Sequence, residues 1–302
     1  MELRQLRHFV AVVDTGNLSR AAERVAISQP ALTRSIKNLE ELLGVELLER
    51  KPRGVTPTEA GVSLYHHATI VLNACQRLAR EVREIERGVT GTVRVGIASM
   101  FATHVMDRVA AQLAADHPRL ALVVTEGFFE DLLRGLVDGR YDVVFSNFPQ
   151  VPVSADLHLE PLLDVVSSVV ASARHPLARR RDLQRRDLVD QRWVIADLPH
   201  AQDSFEKYFA IDGLPAPGDV YRTNSLNLMV ALVATGRFVS TLPEHLLARE
   251  FAAGTLRRLA LPGGGIERKA GLIYRESRQP RPAVDHFMSE VRRTCVALAA
   301  GR

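Results

Sequence analysis

A predicted helix near the start of the chain carries polar side chains of the kinds that contact nucleic acid. Opposite its apolar stripe lie Gln29, Thr33, Arg34 and Lys37. Glutamine suits the edge of adenine and arginine that of guanine, whereas threonine suits either a polar edge or the thymine methyl group. No acidic residue occurs from Ser28 to Lys37, so this face is positively charged. The pattern indicates contacts with base edges and phosphates.

A second basic cluster follows at Arg50, Lys51 and Arg53. Short apolar runs at 45–48 and 55–57 flank it and predict two strands with the basic residues at their turn, the shape of a wing. Such side chains suit phosphates or the minor groove. Alone, each basic cluster is more simply a solvated helix face or a charged turn. The helix-turn-helix frame around both favours DNA.

Three short helices are predicted to position these side chains. The first has an apolar stripe and ends at Gly16. Asn17 or Ser19 caps the second helix, and Ser28 caps the third, with Pro30 in its first turn. Two short helices that are joined by a tight turn, with alanines where they approach closely, form a helix-turn-helix.

A long helix is predicted to follow, because residues 56–59 form a capping box with Pro57 at the first helical position. Its apolar residues recur in alternating steps of four and three over about three heptads. These seam residues are Leu64, Ala68, Val71, Cys75, Leu78, Val82 and Ile85. Because no partner helix for this seam is evident within the chain, the seam predicts a coiled-coil dimer. The predicted hinge covers 88–91.

From Thr92 onward, strand-like apolar runs alternate with helical patterns, which is typical of doubly wound parallel sheets. The predicted strands cover 93–97, 120–125, 143–145, 165–171, 193–196, 220–222, 238–242 and 271–274. The predicted helices cover 103–115, 131–137, 204–209, 226–234, 244–251 and 283–299. This alternation predicts two α/β lobes.

Composition narrows the classes of protein. The length of 302 residues predicts two domains, and a composition of 46% hydrophobic and 25% charged residues is ordinary for a globular protein. The net charge of only +4 does not establish a nucleic-acid partner. Two distant cysteines exclude a disulfide framework and a zinc knuckle. There is no secretory signal pattern and no apolar run of about 18 residues, so we expect a soluble, cytoplasmic protein without a membrane partner.

No catalytic or metal site is predicted. Adjacent His66 and His67 lie on different helix faces and lack the spacing of metal ligands. Cys75 and Cys295 are interpreted as small apolar packing residues, with a thiol redox switch as the alternative. We find neither a nucleophile–base arrangement nor a carboxylate pair, and no cofactor is predicted.

Residues 18–61 resemble the winged helix-turn-helix of LysR-type transcriptional regulators. The matching motifs are LSRAA (18–22), SQPALT (28–33), LE (39–40), LG (43–44), LLER (47–50) and TPTEAG (56–61). Thr33 stands where serine is commoner, and Leu48 where phenylalanine is commoner. Weaker motifs at 93–96, 175–178 and 242–244 extend the resemblance over the whole chain.

The resemblance implies a sequence-specific DNA-binding regulator whose recognition helix enters the major groove and whose wing contacts the minor groove. The residues predicted to contact DNA are Ser28, Gln29, Pro30, Thr33, Arg34, Lys37, Arg50, Lys51 and Arg53. Linker helices pair into dimers, dimers associate into tetramers, and RNA polymerase is an implied partner. The implied organisation is a winged helix-turn-helix over 1–58, a linker helix over 59–87, a hinge over 88–91 and an effector-binding domain over 92–302.

The effector-binding domain of the family resembles periplasmic binding proteins. The expected lobe I covers 92–161 and 268–302, and the expected lobe II covers 162–267, with a small-molecule effector between them. Ligands of open α/β sheets bind beyond the carboxyl ends of strands. The residues predicted there are Ser99, Met100, Phe101, Gly127, Phe128, Asn147, Gln202, Thr223, Asn224, Leu242 and Pro243.

Helices that start near Phe101 and Ser225 would direct free N–H groups into this cleft, which favours a carboxylate. Simple helix capping is the alternative for the serine and asparagine residues. Phe101, Phe128 and Phe148 would admit an aromatic acid, although core packing is the alternative for them. We therefore predict a small organic or aromatic acid as effector.

Two rival functions remain at this stage. The α/β region could be an enzyme joined to a DNA-binding head, or the chain could be a solute-binding or architectural protein without promoter specificity. The absence of a catalytic motif weighs against the first, and the lack of an export signal weighs against solute capture.

Overall fold

Three helices at the start of the chain pack around one small core. The computed structural model describes residues 1–51, 54–86, 91–148, 156–263, 265–275 and 281–300. Helix α1 spans Leu3–Thr15, α2 spans Leu18–Arg24 and α3 spans Gln29–Leu43. Gly16 ends α1 in the left-handed conformation, Asn17 caps α2, and the Ser28 hydroxyl accepts a hydrogen bond at the start of α3. The predicted helix-turn-helix is confirmed.

The wing is a two-stranded antiparallel ribbon of β1 (Leu48–Lys51) and β2 (Gly54–Pro57). The predicted first strand over 45–48 is wrong, because the ribbon starts only at Leu48 and includes Arg50 and Lys51. The cause is a contact between residues seven and eight positions apart. Glu40 Oε1 at the end of α3 accepts the backbone N–H groups of Leu47 and Leu48, at 2.8 and 3.3 Å, and fixes the approach to the strand.

The long helix α4 spans Glu59–Glu86. The predicted capping box is wrong, since Pro57 ends β2 and Thr58 takes the capping role by accepting the Gly61 N–H at 3.0 Å. Gly61 is required by close packing, because a Cβ there would lie 2.0 Å from the Leu47 carbonyl oxygen. The start of α4 is thereby held against the wing.

The remaining chain begins with β3 (Gly91–Ala98), a 3₁₀ turn (Ser99–Phe101), a π-helical turn (Ala102–Met106), α5 (Asp107–Asp116), β4 (Leu120–Gly127), α6 (Phe129–Val137), β5 (Val143–Asn147) and β6 (Leu157–Ser172). Two 3₁₀ turns (Pro176–Arg179 and Arg185–Leu188) lead to β7 (Trp193–Ala196), α7 (Pro199–Ala210), β8 (Val220–Thr223), α8 (Leu226–Ala234) and β9 (Val239–Pro243). A 3₁₀ turn (Glu244–Leu247), α9 (Ala248–Ala252), β10 (Leu256–Arg258), β11 (Ile266–Arg275) and α10 (Pro282–Ala300) follow.

Nine strands of the described residues form one sheet in the order β4-β3-β5-β11-β6-β9-β7-β8, with β10 paired to β6. Parallel pairing holds within β3–β5 and within β7–β9. The predicted parallel arrangement is wrong in the middle, where β6 and β11 pair antiparallel with each other and with their flanking strands. The chain passes from the first half of the sheet to the second through β6 and returns through β11. Because β6 and β11 run in opposite directions, they pair antiparallel.

We call β3–β5 with α5, α6 and α10 lobe I, and β7–β10 with α7–α9 lobe II. The core of lobe I includes buried Ile97, Phe145 and Phe287, and that of lobe II is built around Trp193. The helix predicted over 103–115 is irregular at its start, where the 3₁₀ and π-helical turns precede α5. Among the described helices, none has the length and apolarity that crossing a membrane requires.

Candidate DNA-binding surface and effector cleft

Helix α3 is fixed on α1 by a polar contact beneath its outer face. His8 Nδ1 lies 2.8 Å from the Ser35 hydroxyl oxygen, and the His8 side chain is buried. Burial lowers the pKa of His8 below its usual 6.5, and the nearby charges of Arg4 and Arg7 lower it further. The neutral imidazole thus joins the apolar residues of α3 in setting the orientation of the helix. Sequence reasoning missed this pair, because nothing local relates residues 27 positions apart.

The outer face of α3 is open to solvent. Gln29, Pro30, Arg34 and Lys37 are exposed, and Thr33 is half-buried beside them. The Gln29 carboxamide oxygen accepts the Ser19 hydroxyl at 3.2 Å, which links the start of α3 to α2. Lys37 lies 3.5 Å from Glu41, but both side chains are well exposed, so the pair is weak and the ammonium group can turn to a phosphate.

The wing is held next to this face by a close backbone contact. Val55 N–H donates to the Gly16 carbonyl oxygen at 2.9 Å. Gly54 has φ +138°, and a Cβ at this position would clash with the Gly16 carbonyl oxygen at 2.4 Å. Exposed Lys51 lies 3.7 Å from Glu49. The predicted contact Arg53 and the side chain of Arg50 lie outside the described residues, so their DNA-binding roles stay predictions.

A second network joins the DNA-binding helices to α4. Asp14 on α1 accepts the Tyr65 hydroxyl at 2.6 Å and pairs with Arg24 of α2 at 3.0 Å. Partial burial, followed by the hydrogen bond to the Asp14 carboxylate, raises the pKa of Tyr65 to about 12. These contacts join α1, α2 and α4 into one unit, to which α3 is connected through the contact between His8 and Ser35.

The predicted dimer seam divides into a covered and an uncovered part. Leu64 packs on the core of the three helices, and Ala68 is only 1% exposed within the single chain. The seam residues beyond Ala68 are exposed: Val71 (41%), Cys75, Leu78 (63%) and Val82 (54%). The side chain of Ile85 lies outside the described residues. A row of exposed apolar side chains at heptad spacing is what an unpaired coiled-coil helix presents.

The cleft residues predicted in lobe I follow the ends of β3, β4 and β5. Ser99 is exposed, while Met100, Gly127, Phe128 and Asn147 are half-buried. The Asn147 amide Nδ2 donates to the Met100 sulfur at 3.3 Å, and its buried Oδ1 has no hydrogen-bond partner among the described residues. Sulfur is a weak acceptor, so this carboxamide has hydrogen-bonding capacity to offer a ligand.

The cleft residues predicted in lobe II lie near the starts of α7 and α8. Arg222 donates to the Gln202 carboxamide oxygen at 2.8 Å. Thr223 Oγ1 accepts the Ser225 N–H at 3.1 Å, and Ser225 in turn caps α8. Asn224 between them is exposed. The capping alternative thus applies to Thr223 and Ser225, of which Thr223 is half-buried and Ser225 is exposed.

Three predicted cleft residues are packing residues. Phe101 is fully buried in the core of lobe I, where its ring meets that of Phe145 edge to face at 5.0 Å. Leu242 is 1% exposed in an apolar cluster of lobe II, and Pro243 is buried at the end of β9. Their positions at strand ends are as expected, but their side chains point into cores, because long apolar groups gain more from burial than a cleft wall offers.

A contact across the two lobes was missed by sequence reasoning. His245, from the turn after β9, donates through Nε2 to the Met100 carbonyl oxygen at 2.9 Å, and its ring stacks on Phe101 with centroids 5.5 Å apart. Neighbouring Glu244 accepts the Ser168 hydroxyl at 2.6 Å and pairs with Arg258 at 2.7 Å. The strand-end rule could have predicted His245 and Glu244, since both follow the carboxyl end of a strand as the other predicted cleft residues do.

The chain matches two family models. Residues 3–62 match the bacterial regulatory helix-turn-helix protein, lysR family, and residues 86–296 match the LysR substrate binding domain. Its relatives include the SDS degradation transcriptional activation protein of a Pseudomonas sp. (strain ATCC 19151), 31% identical over 94% of this chain and 93% of that protein. The HTH-type transcriptional regulator CfxR of Cupriavidus necator is 29% identical over 94% of this chain and 88% of its own.

Solved structures have the same fold over the full length. A full-length OxyR variant from Pseudomonas aeruginosa has 26% identity and a TM-score of 0.62, covering 97% of this chain and 95% of that one. CbnR, a LysR family transcriptional regulator, has 23% identity and a TM-score of 0.67, with coverage of 98% and 99%. The chain therefore belongs to the LysR family of DNA-binding transcriptional regulators and carries that family's effector-binding domain.

Proposed function

We propose that the protein binds promoter DNA as a dimer of dimers through the outer face of α3 and the wing, under the control of a small organic acid held between its lobes. The observation that carries this proposal is the α3 face. It offers Gln29, Arg34 and Lys37 to solvent while the opposite side of the helix is buried in a rigid unit. A regulator of the chromosome works in the cytoplasm, where we place it, and RNA polymerase is the expected further partner.

Each residue on this face has a distinct role in the proposal. Arg34 is exposed and forms no ion pair with a described acidic residue, so its guanidinium is available for a bidentate contact with guanine. Lys37 and Lys51 have only weak, exposed ion pairs to exchange for DNA phosphates. Ser28, Gln29, Pro30 and Thr33 lie at the N-terminal end of α3, which would point into the major groove.

The chemistry of the cleft supports an acid as effector. Asn147 donates at present only to a thioether, and a carboxylate is a better acceptor for its amide hydrogens. In the proposal, the acid also meets the N-terminus of α8 in lobe II, which carries backbone N–H groups and a partial positive charge. Half-buried Phe128 would add an apolar wall, as an aromatic acid requires.

The contact between His245 and Met100 would connect ligand binding to lobe geometry. Met100 is joined to Asn147 on one side and to His245 of the other lobe on the other side. A ligand that displaces the thioether from Asn147 shifts Met100 and thereby the bridge between the lobes. Regulation follows only if the ligand binds one arrangement of the lobes more tightly than the other.

A ligand screen followed by variants tests this proposal. The full-length protein is screened with small organic acids by thermal unfolding, and hits are titrated calorimetrically with and without DNA from the region upstream of the protein's own gene. We expect Asn147→Leu and Thr223→Val to weaken binding of the acid while ligand-free DNA affinity is unchanged. Unaltered titrations in both variants would show that the cleft is wrongly placed, and a DNase footprint spread evenly over random DNA would contradict promoter binding.

A further inference from the structure

A recess rich in arginine lies between α4 and lobe I, away from the cleft between the lobes. Its lining comes from four separate parts of the chain. The residues of this arginine recess are Arg77, Arg80, Thr92, Arg94, Gly139, Asp142 and Arg281. The cavity volume is about 20 Å³, and the recess is open to solvent at its mouth. Neither the DNA-binding face nor the effector cleft uses any of these side chains.

The lining of the recess has a surplus of positive charge. Among its described residues, Asp142 is the only acidic one, against four arginines. The Asp142 carboxylate is 5% exposed and already satisfied, because it pairs with Arg281 and its Oδ2 accepts the Arg94 backbone N–H at 2.8 Å. Arg77 reaches it only at 3.9 Å. Even without counting Arg80, the arginines Arg77, Arg94 and Arg281 share this one carboxylate among the described lining residues, so the described lining carries a net positive charge that attracts an anion.

Two of the arginines have hydrogen-bond donors that carboxylates do not use, because Arg77 has only the 3.9 Å contact with Asp142 and Arg94 has no such contact among the described residues. The guanidinium of Arg94, on β3, forms no ion pair with any acidic residue in the part of the chain that the structure describes, although Arg94 is half-buried. The Arg77 guanidinium lies over Gly139, where an added Cβ would be 3.6 Å from its Nη2. A guanidinium has five N–H donors in a planar fork, so both residues have donors to offer.

We propose that the arginine recess binds a small phosphate-type oxyanion, either inorganic phosphate or the phosphate group of a small phosphomonoester. Guanidinium forks match the spacing of phosphate oxygens in bidentate hydrogen bonds, and a dianion offsets more of the surplus charge than a monocarboxylate does. The recess is bounded by α4 on one side and by lobe I on the other. It therefore suits a compact anion better than the extended backbone of DNA.

Occupation of the recess would couple α4 to lobe I. Arg77 and Arg80 lie on the helix that is locked to the DNA-binding unit, and Arg94 and Asp142 lie on the sheet side, in the effector-binding domain. An anion held between Arg77 and Arg94 adds a second bridge between α4 and lobe I, beside the contact of Arg77 with Asp142. It favours the arrangement in which α4 and lobe I lie together, and so provides a second input to the regulator that is independent of the cleft ligand.

Calorimetric titration of the full-length protein with sodium phosphate, against sodium chloride at equal ionic strength, tests the proposal. We expect saturable heat from phosphate alone and a rise in the thermal unfolding midpoint. Arg94→Gln should weaken phosphate binding by about tenfold, since it removes a charge-assisted bidentate contact. Arg94→Lys, which keeps the charge, should lose less. Arg108→Gln, at an exposed arginine of α5 outside the recess, should bind phosphate as the wild type does.

Glycerol phosphate in a parallel titration distinguishes the two sources of the anion, because tighter binding than that of phosphate points to a phosphomonoester. Circular dichroism and the unfolding midpoint in chloride establish that each variant is folded. Heat indistinguishable from that of chloride, or equal phosphate affinity in Arg94→Gln and the wild type, would overturn the proposal. The proposal would also be overturned if Arg94→Gln bound DNA more weakly than the wild type but phosphate equally well, because the recess would then be a contact site for the DNA backbone.

Discussion

Replacing Leu78 by aspartate should separate the dimer into folded monomers. Leu78 is 63% exposed in the single chain, so the substitution removes little packing within the protomer, whose stability should hardly change. In a paired seam the same side chain would be covered. Full burial of a leucine contributes about 1.5–3 kcal/mol, so covering the exposed part contributes about 1–2 kcal/mol per copy.

The effect on dimerisation follows from counting both copies. Together they lose about 3 kcal/mol of association free energy, which corresponds to an increase of about a hundredfold in the dimer Kd. An aspartate brought into the seam adds the cost of desolvating its charge, so a hundredfold is the lower expectation. Sedimentation velocity over a concentration series measures this Kd directly.

A matched control separates the seam from general effects of surface charge. Val296 on α10 is 68% exposed and off the seam, so Val296→Asp introduces the same charge at an equally exposed apolar position. We expect Val296→Asp to keep the wild-type Kd. A dimer of unchanged affinity in Leu78→Asp, or equal dissociation in the two variants, would refute pairing through the α4 seam.

Two further predictions concern the DNA-binding unit. Because the pKa of His8 is lowered from 6.5 in the folded state, the unfolded chain takes up that proton first, and stability present above pH 6.5 is lost as the pH falls below it. The free energy of unfolding should thus fall more steeply between about pH 7.5 and about pH 5 in the wild type than in His8→Gln. Equal slopes in the two proteins would contradict the assignment. Gly54→Ala places a methyl group against the Gly16 carbonyl and should destabilise the unit by about 2–4 kcal/mol in denaturant unfolding. Gly44→Ala, with φ +70° and nothing within 4 Å, should cost only about 1–2 kcal/mol, and the reverse order would show that the wing does not pack as described.

The elements that the sequence predicts best are helices whose ends are marked by capping residues and glycines close by in the chain. Gly16, Asn17, Ser28 and Gly44 each satisfy backbone groups within a few residues, so their effect is visible in any short window of sequence. The apolar pattern places the wing three residues early, because its start depends on Glu40, which lies several residues upstream and accepts two of its N–H groups. The pattern of apolar residues along the strand does not indicate such a contact.

Sheet order and the cleft are harder to predict, for a related reason. An apolar run predicts a strand but neither its neighbour nor its direction, so the antiparallel crossing of β6 and β11 is invisible in the pattern. The strand-end rule selects Asn147, Thr223 and Leu242 alike, because it does not distinguish a side chain that faces the core, as that of Leu242 does, from one that faces outward. The arginine recess combines residues as distant in sequence as Arg77 and Arg281, and has no signature in sequence.

The affinity of Arg34→Ala for promoter DNA tests the central claim most directly. Fluorescence anisotropy with a footprinted fragment from upstream of the gene, at fixed salt, gives the Kd of the variant, the wild type and Arg108→Ala. If α3 reads bases through Arg34, its variant should lose about 1–3 kcal/mol of binding free energy and discriminate less between the fragment and random DNA, with Arg108→Ala unchanged. Wild-type affinity in Arg34→Ala, or an equal loss in both variants, would contradict the assignment of α3 as the recognition helix.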